Sequence, residues 1–271
     1  MHARRLEFAA AVVGCVLVAV ALVIIWGARL SVPRDLYVSE LGAQGEPTAQ
    51  RFQGALLLVV AGGSAIAWAG RRVRSSVSLL RVWTPAISLW IACAFFLFAS
   101  QVTCTSGCPL PYGSTFTWQD FLHTLAAVLA FAAACWAMLQ TSFARDHRLL
   151  AGLSLATGLL VAIIAATGGL FSLLRFQADF GSRLEFVATT IAIGWLIVFG
   201  VVTATRALSA THQAEQAVGE SHENVHLVVV PLDPAALGLG THGHEVGVLL
   251  PHDERSLGAQ NVLLPPHLPQ V

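Results

Sequence analysis

The run "FAAAVVGCVLVAVALVIIWGA", residues 8–28, decides the fold. It carries no charged side chain. A helix rises 1.5 Å per residue, so this run reaches about 30 Å, the thickness of a bilayer's hydrocarbon core. Arg4 and Arg5 precede it, as basic residues precede a secretory signal. A signal's apolar region, however, is only about 7–15 residues long. The run is read as a retained membrane helix.

Five further runs share its character: 52–70, 83–100, 121–139, 149–174 and 186–205. None has Asp, Glu, Lys or Arg in its interior. The whole chain is 56% hydrophobic and 11% charged, where a soluble domain has about 25% charged residues. The expectation is an all-α integral membrane protein: a six-transmembrane-helix bundle over residues 1–208 with a disordered C-terminal tail over 209–271. Short connections such as "RRVRSSVSLLR" and "TSFARDHR" make consecutive helices antiparallel neighbours. Pro85 falls near a helix start, where its missing N–H costs little. The pairs Gly62-Gly63 and Gly168-Gly169 offer places for close helix approach.

The basic residues are all arginine, and they are unevenly placed. Arg4, Arg5, Arg71, Arg72, Arg74, Arg81, Arg145, Arg148 and Arg206 fall on one side of the six runs. Arg29, Arg34, Arg51, Arg175 and Arg183 fall on the other. The arginine-rich side is expected in the cytoplasm, with both termini, in a plasma membrane. The tail is acidic and rich in histidine, without aromatic residues, and it cannot bury much surface. His242, His244 and His252 lack the ordered spacing of a structural zinc site, so no metal is expected there. The tail is free to dock a cytoplasmic partner.

The polar residues of the membrane part gather on the outer side. "CTSGCPLPYGSTFTWQDFLH", residues 104–123, places Cys104 and Cys108 four apart, suited to a small-loop disulfide outside the cell. Thr117 to Asp120 has the form of a capping box. Asp120 and His123 are three apart, on one helix face, and a carboxylate-oriented histidine can serve as a base. Ser39 is the candidate nucleophile beside them. Glu40, Arg175, Asp179, Arg183 and Glu185 are the outer-face binding candidates. There is no HExxH, P-loop or dinucleotide fingerprint. No cofactor and no nucleic acid is expected, and membrane lipid is the expected contact.

"YVSELGA" with "RFQGALLLVVAGG", then "CTSGCP" with Asp120 and "FLH", then "GSRLEF", resembles the membrane-protein family catalogued as domain of unknown function 998. The likeness covers about residues 8–207. It implies some six helices and no assigned reaction. A more distant likeness, to alkaline-ceramidase-like hydrolases, would make Ser39, Asp120 and His123 site residues. Those enzymes hold zinc with three histidines, and only His123 lies near the outer face here.

Two readings follow. The first is a non-enzymatic membrane protein that binds or senses a lipid or partner at its outer face. The second is a membrane-embedded lipid hydrolase using Asp120 and His123. A reporter fused after Arg74 should be found inside the cell; its appearance outside would reverse the orientation.

Overall fold

A computed structural model describes residues 2–109, 113–144, 148–174 and 178–223. Among them are six long helices: α1 His2–Leu30, α2 Ala49–Ala69, α3 Pro85–Gln101, α4 Trp118–Ser142, α5 Arg148–Leu173 and α6 Ala178–Glu223. There is no β-strand among the described residues; a single isolated bridge joins Ser75 and Ala144. Each expected run lies within or largely within one helix. Five helices are long and apolar enough to cross a membrane. The sixth, α3, has 17 residues and reaches only about 25 Å, at the short limit for a span.

Local chemistry sets the helix starts. Thr84 accepts the Ile87 N–H at the head of α3, and Pro85 follows it at the first helical position. Thr117 accepts the Asp120 N–H at 3.0 Å at the head of α4, which is the expected cap. At its far end α6 continues through residues 209–223, the first part of the expected tail. That stretch, "SATHQAEQAVGESHE", has no proline and several good helix formers. An existing helix needs no new nucleus to grow. Residues 224–271, and with them His242, His244 and His252, lie outside the described residues.

Packing depends on small residues and a few buried ties. A Cβ on Gly14 would lie 2.7 Å from the Gly62 carbonyl oxygen, and one on Gly62 would lie 2.7 Å from that of Gly14. The backbones of α1 and α2 therefore touch, as in small-residue membrane interfaces. The fully buried Gln140 of α4 accepts from Ser88 Oγ at 2.7 Å. It donates to the carbonyls of Leu80 and Trp83 at 3.2 and 2.8 Å. Trp195 Nε1 donates to Ser154 Oγ at 2.9 Å, tying α6 to α5. The outer surface is the reverse: Leu149, Leu30, Val23 and Ile163 are 92%, 78%, 73% and 63% exposed. Such a surface is unsuited to water and suited to lipid chains.

Connections at the two ends meet one another. At the arginine-rich end, Glu7 is 3% exposed under Arg71 and Arg72, at 2.7 and 3.2 Å. There too the Ser76 N–H donates to Phe143 O across the 70–84 and 143–144 connections. At the other end, residues 31–48 meet both the 102–117 connection and the head of α6.

Gly62→Leu should force α1 and α2 apart. The expected loss is about 1–3 kcal/mol, the usual cost of overpacking, read as a lower unfolding temperature in detergent. An unchanged temperature would show that the two helices are not in backbone contact.

Candidate functional site

The end opposite the arginine cluster is closed by a short 3-10 helix, Ser39–Gly42. Leu36, Val38 and Leu41 bury their side chains beneath it. Tyr37 lies over α6, where a Cβ on Gly181 would collide with its ring. The Val38 N–H donates to Glu185 Oε2 at 2.9 Å, anchoring the turn to α6. The Tyr37 N–H donates to Glu40 Oε2 at 2.9 Å, so Glu40 closes the turn locally. Burial pushes the Glu40 carboxyl above its ordinary range. Asp35 joins Arg29 and, at 3.2 Å, the exposed Arg183; Arg34 joins Glu46. Arg29–Asp35 is half-buried, while Arg183 and Arg34 are exposed and their pairs add little stability. Asp179 is exposed in the first turn of α6, and Arg175 lies outside the described residues.

The connection that carries Cys104 and Cys108 folds back under this turn. Cys104 and Cys108 are joined by a disulfide, with Cα atoms 5.1 Å apart. The Cys104 carbonyl accepts the Gln44 N–H at 3.0 Å, which links this loop to the first. Asp120 is fully buried and fully used. Its carboxylate accepts the Thr105 N–H at 2.7 Å, the Thr105 hydroxyl at 2.9 Å and the Thr117 hydroxyl. It therefore pins the disulfide loop to the head of α4.

His123 does not turn to Asp120. Its Nδ1 meets the carbonyls of Ala99 and Val102, at 3.1 and 2.7 Å, at the end of α3. Carbonyls only accept, so Nδ1 carries a proton and donates to them. The Asp–His pairing expected from their spacing is not made, because each side chain satisfies backbone groups of the 99–105 segment instead. Cys104 Sγ, Cys108 Sγ and a ring nitrogen of His123 lie within 4.8 Å of one another. Joined as a disulfide, the two sulfurs offer no thiolate to a metal.

Behind the turn lies a cavity of about 110 Å³, walled by α1, α2, α3, α4 and α6. Ile25, Phe52, Leu89, Phe131, Met138 and Leu196 are among its apolar lining. Ser39, His123, Glu185 and Thr189 also line it, toward the Ser39–Gly42 turn. Three of the candidates named from sequence thus meet at one place, while Asp120, Glu40 and Arg183 serve the surrounding loops. Thr189 was not among the candidates. Its distance of four residues from Glu185, one turn along the same face, was the available signal.

A family model described as a protein of unknown function (DUF998) matches residues 9–202. This chain belongs to the DUF998 family. The matched stretch takes in the four inner apolar runs whole, all but the first residue of the 8–28 run and the last three of the 186–205 run, and every polar residue of the cavity. No curated protein and no solved structure matches this DUF998 chain.

Asp120→Ala should free the Thr105 N–H and hydroxyl. The expected cost is about 2 kcal/mol, by loss of hydrogen bonds to a buried charged acceptor. Thermal unfolding measures it, and faster amide exchange at Thr105 locates it. Unaltered stability would mean that Asp120 does not hold the loop.

Proposed function

We propose that this protein lies in the plasma membrane with both termini in the cytoplasm and binds an amphipathic lipid. The apolar chain occupies the cavity, and the head group sits at its polar end under the Ser39–Gly42 turn. One observation carries this reading: an apolar cavity walled by five helices is lined by Ser39, His123, Glu185 and Thr189, residues that fall toward the Ser39–Gly42 turn. The space greatly exceeds the roughly 10–15 Å³ that one water needs, yet an apolar wall gives water too few partners. From Glu185 to Leu196 the α6 wall runs about 16 Å at 1.5 Å per residue, long enough for an extended alkyl chain.

The lipid-hydrolase reading draws less support. It needs a carboxylate to orient His123, and the carbonyls of Ala99 and Val102 do that work instead. Asp120 has no part in it beyond placing α4. The cytoplasmic tail as a docking arm for a partner remains a reading of its composition.

Trp195 lines the cavity and reports on it. A single-chain alcohol brominated near its tail should quench part of the fluorescence in a saturable way. Trp195→Phe should remove that part. Ala92→Phe, which fills the cavity, should also remove it while helix content stays constant. Saturable quenching that survives Ala92→Phe would defeat the proposal.

A further inference from the structure

The disulfide loop has a histidine packed against its sulfurs. Cys104 Sγ, Cys108 Sγ and a ring nitrogen of His123 lie within 4.8 Å of one another. In Cys104-Thr105-Ser106-Gly107-Cys108 three residues separate the cysteines, inside the two-to-four range of cysteine pairs in zinc sites. Two thiolates and an imidazole are a donor set for a borderline-soft ion such as Zn²⁺. The oxidised pair offers no thiolate, whereas the reduced pair offers two.

The bond between the sulfurs is not what places these side chains. On one side of Cys104, Gln119 Nε2 donates to the Thr103 carbonyl at 2.5 Å. On the other, the Thr105 N–H and hydroxyl donate to Asp120 at 2.7 and 2.9 Å. Gly107 and Cys108 have φ of 77° and 44°, which turns the chain back, and the Cys108 N–H donates to Thr105 O at 2.9 Å. A loop fixed at these points keeps both cysteines near His123 once the sulfurs part. Two Zn–S bonds of 2.3 Å at a tetrahedral angle set the sulfurs about 3.8 Å apart. Side-chain rotation on Cα atoms 5.1 Å apart reaches that spacing.

His123 is held as metal-binding histidines are. A ligating imidazole usually gives its other N–H to a carboxylate or a backbone carbonyl, and Nδ1 donates to the carbonyls of Ala99 and Val102. Nε2 is then the ligand atom, and any proton on it leaves as the ion binds.

Reduction has a point of entry. Cys104 is fully buried, while Cys108 is half-buried beside the exposed Ser106 and Gly107. The thiolate of a dithiol reductant attacks Cys108 Sγ, the S–S bond breaks, and Cys104 leaves as a thiolate. The second thiol of the reductant attacks the mixed disulfide, frees Cys108 as a thiolate and closes the reductant's own disulfide. The pair has then gained two electrons, and the ion displaces whatever protons the thiolates take up.

We infer that reduction of Cys104–Cys108 by a dithiol converts this corner into a zinc site. Cys104, Cys108 and His123 are its ligands, and the fourth position is open to water. The inference stands apart from the lipid-binding reading.

The test uses the full chain in detergent without oxygen. Its accessible free thiols are blocked with N-ethylmaleimide, and it is then reduced with dithiothreitol and freed of reagent. Titration with Co²⁺, a coloured substitute for zinc, should give thiolate-to-cobalt charge-transfer absorption that saturates at a single ion per chain. Zn²⁺ should bleach it, and the disulfide form should show none. In Cys104→Ser the blocking step also caps Cys108, so the absorption should vanish. A band as strong as in the unsubstituted chain would come from Cys15, Cys93 or Cys135 and would overturn the proposal. His123→Ala should keep thiolate absorption but weaken zinc by at least about ten-fold, since losing even an outer-shell partner costs about 10–100-fold. Unchanged affinity would overturn His123 as a ligand and the site with it. If the reduced chain binds no cobalt, or if the disulfide yields to the dithiol only as the chain unfolds, the proposal fails whatever the variants do.

Discussion

A hydrocarbon core supplies no hydrogen-bond partners, so every polar group placed inside it must find one in the protein. This constraint accounts for the helices, and it also accounts for nearly every buried polar side chain. Gln140 answers Ser88 and two carbonyls of the 79–84 connection. Trp195 answers Ser154 across the α5–α6 contact. Glu7 sits beneath the arginines of the second connection. Each is a tie between elements that apolar packing alone would leave free to slide. The buried Thr189 hydroxyl, at the cavity, makes no such tie.

The two ends of the bundle are built differently. At the arginine-rich end a buried carboxylate gathers guanidinium groups around α1. At the other end two loops and the heads of α4 and α6 are interlocked by directional bonds: Val38 to Glu185, Gln44 to Cys104, Thr105 to Asp120. The disulfide shortens the second of these loops, and Asp120 holds that loop against α4. The result is a cover over an apolar space. Cover, apolar wall and a few polar groups are the usual ingredients of a small-molecule site.

Some of this end was legible in the sequence. Thr117 and Asp120 carry the spacing of a cap, and they form one because that motif is satisfied within a single turn. Cys104 and Cys108 bond within five residues of chain for the same local reason. The actual partners of Asp120 and His123, which are not each other, were not legible. Both sit on one face of α4, but the end of α3 and the Thr105 loop compete for their hydrogen bonds, and those partners lie 15 to 24 residues away in sequence. Glu185 was a visible charge with an invisible partner: a backbone N–H 147 residues earlier.

The sequence by itself determined the number and rough extent of the apolar helices and the starts of α3 and α4, along with the uneven placement of arginine. Length, composition and capping act over a few turns of one chain segment, so no distant contact is needed to read them. Only the tertiary structure decided that Ser39, His123, Glu185 and Thr189 share a cavity, and that Asp120 does not join them. Those four residues come from three separate segments. Where their side chains meet depends on how α1 and α2 close over Gly14 and Gly62, and on how the loops lock above them. Such packing is a property of pairs of surfaces, which no single run of residues records.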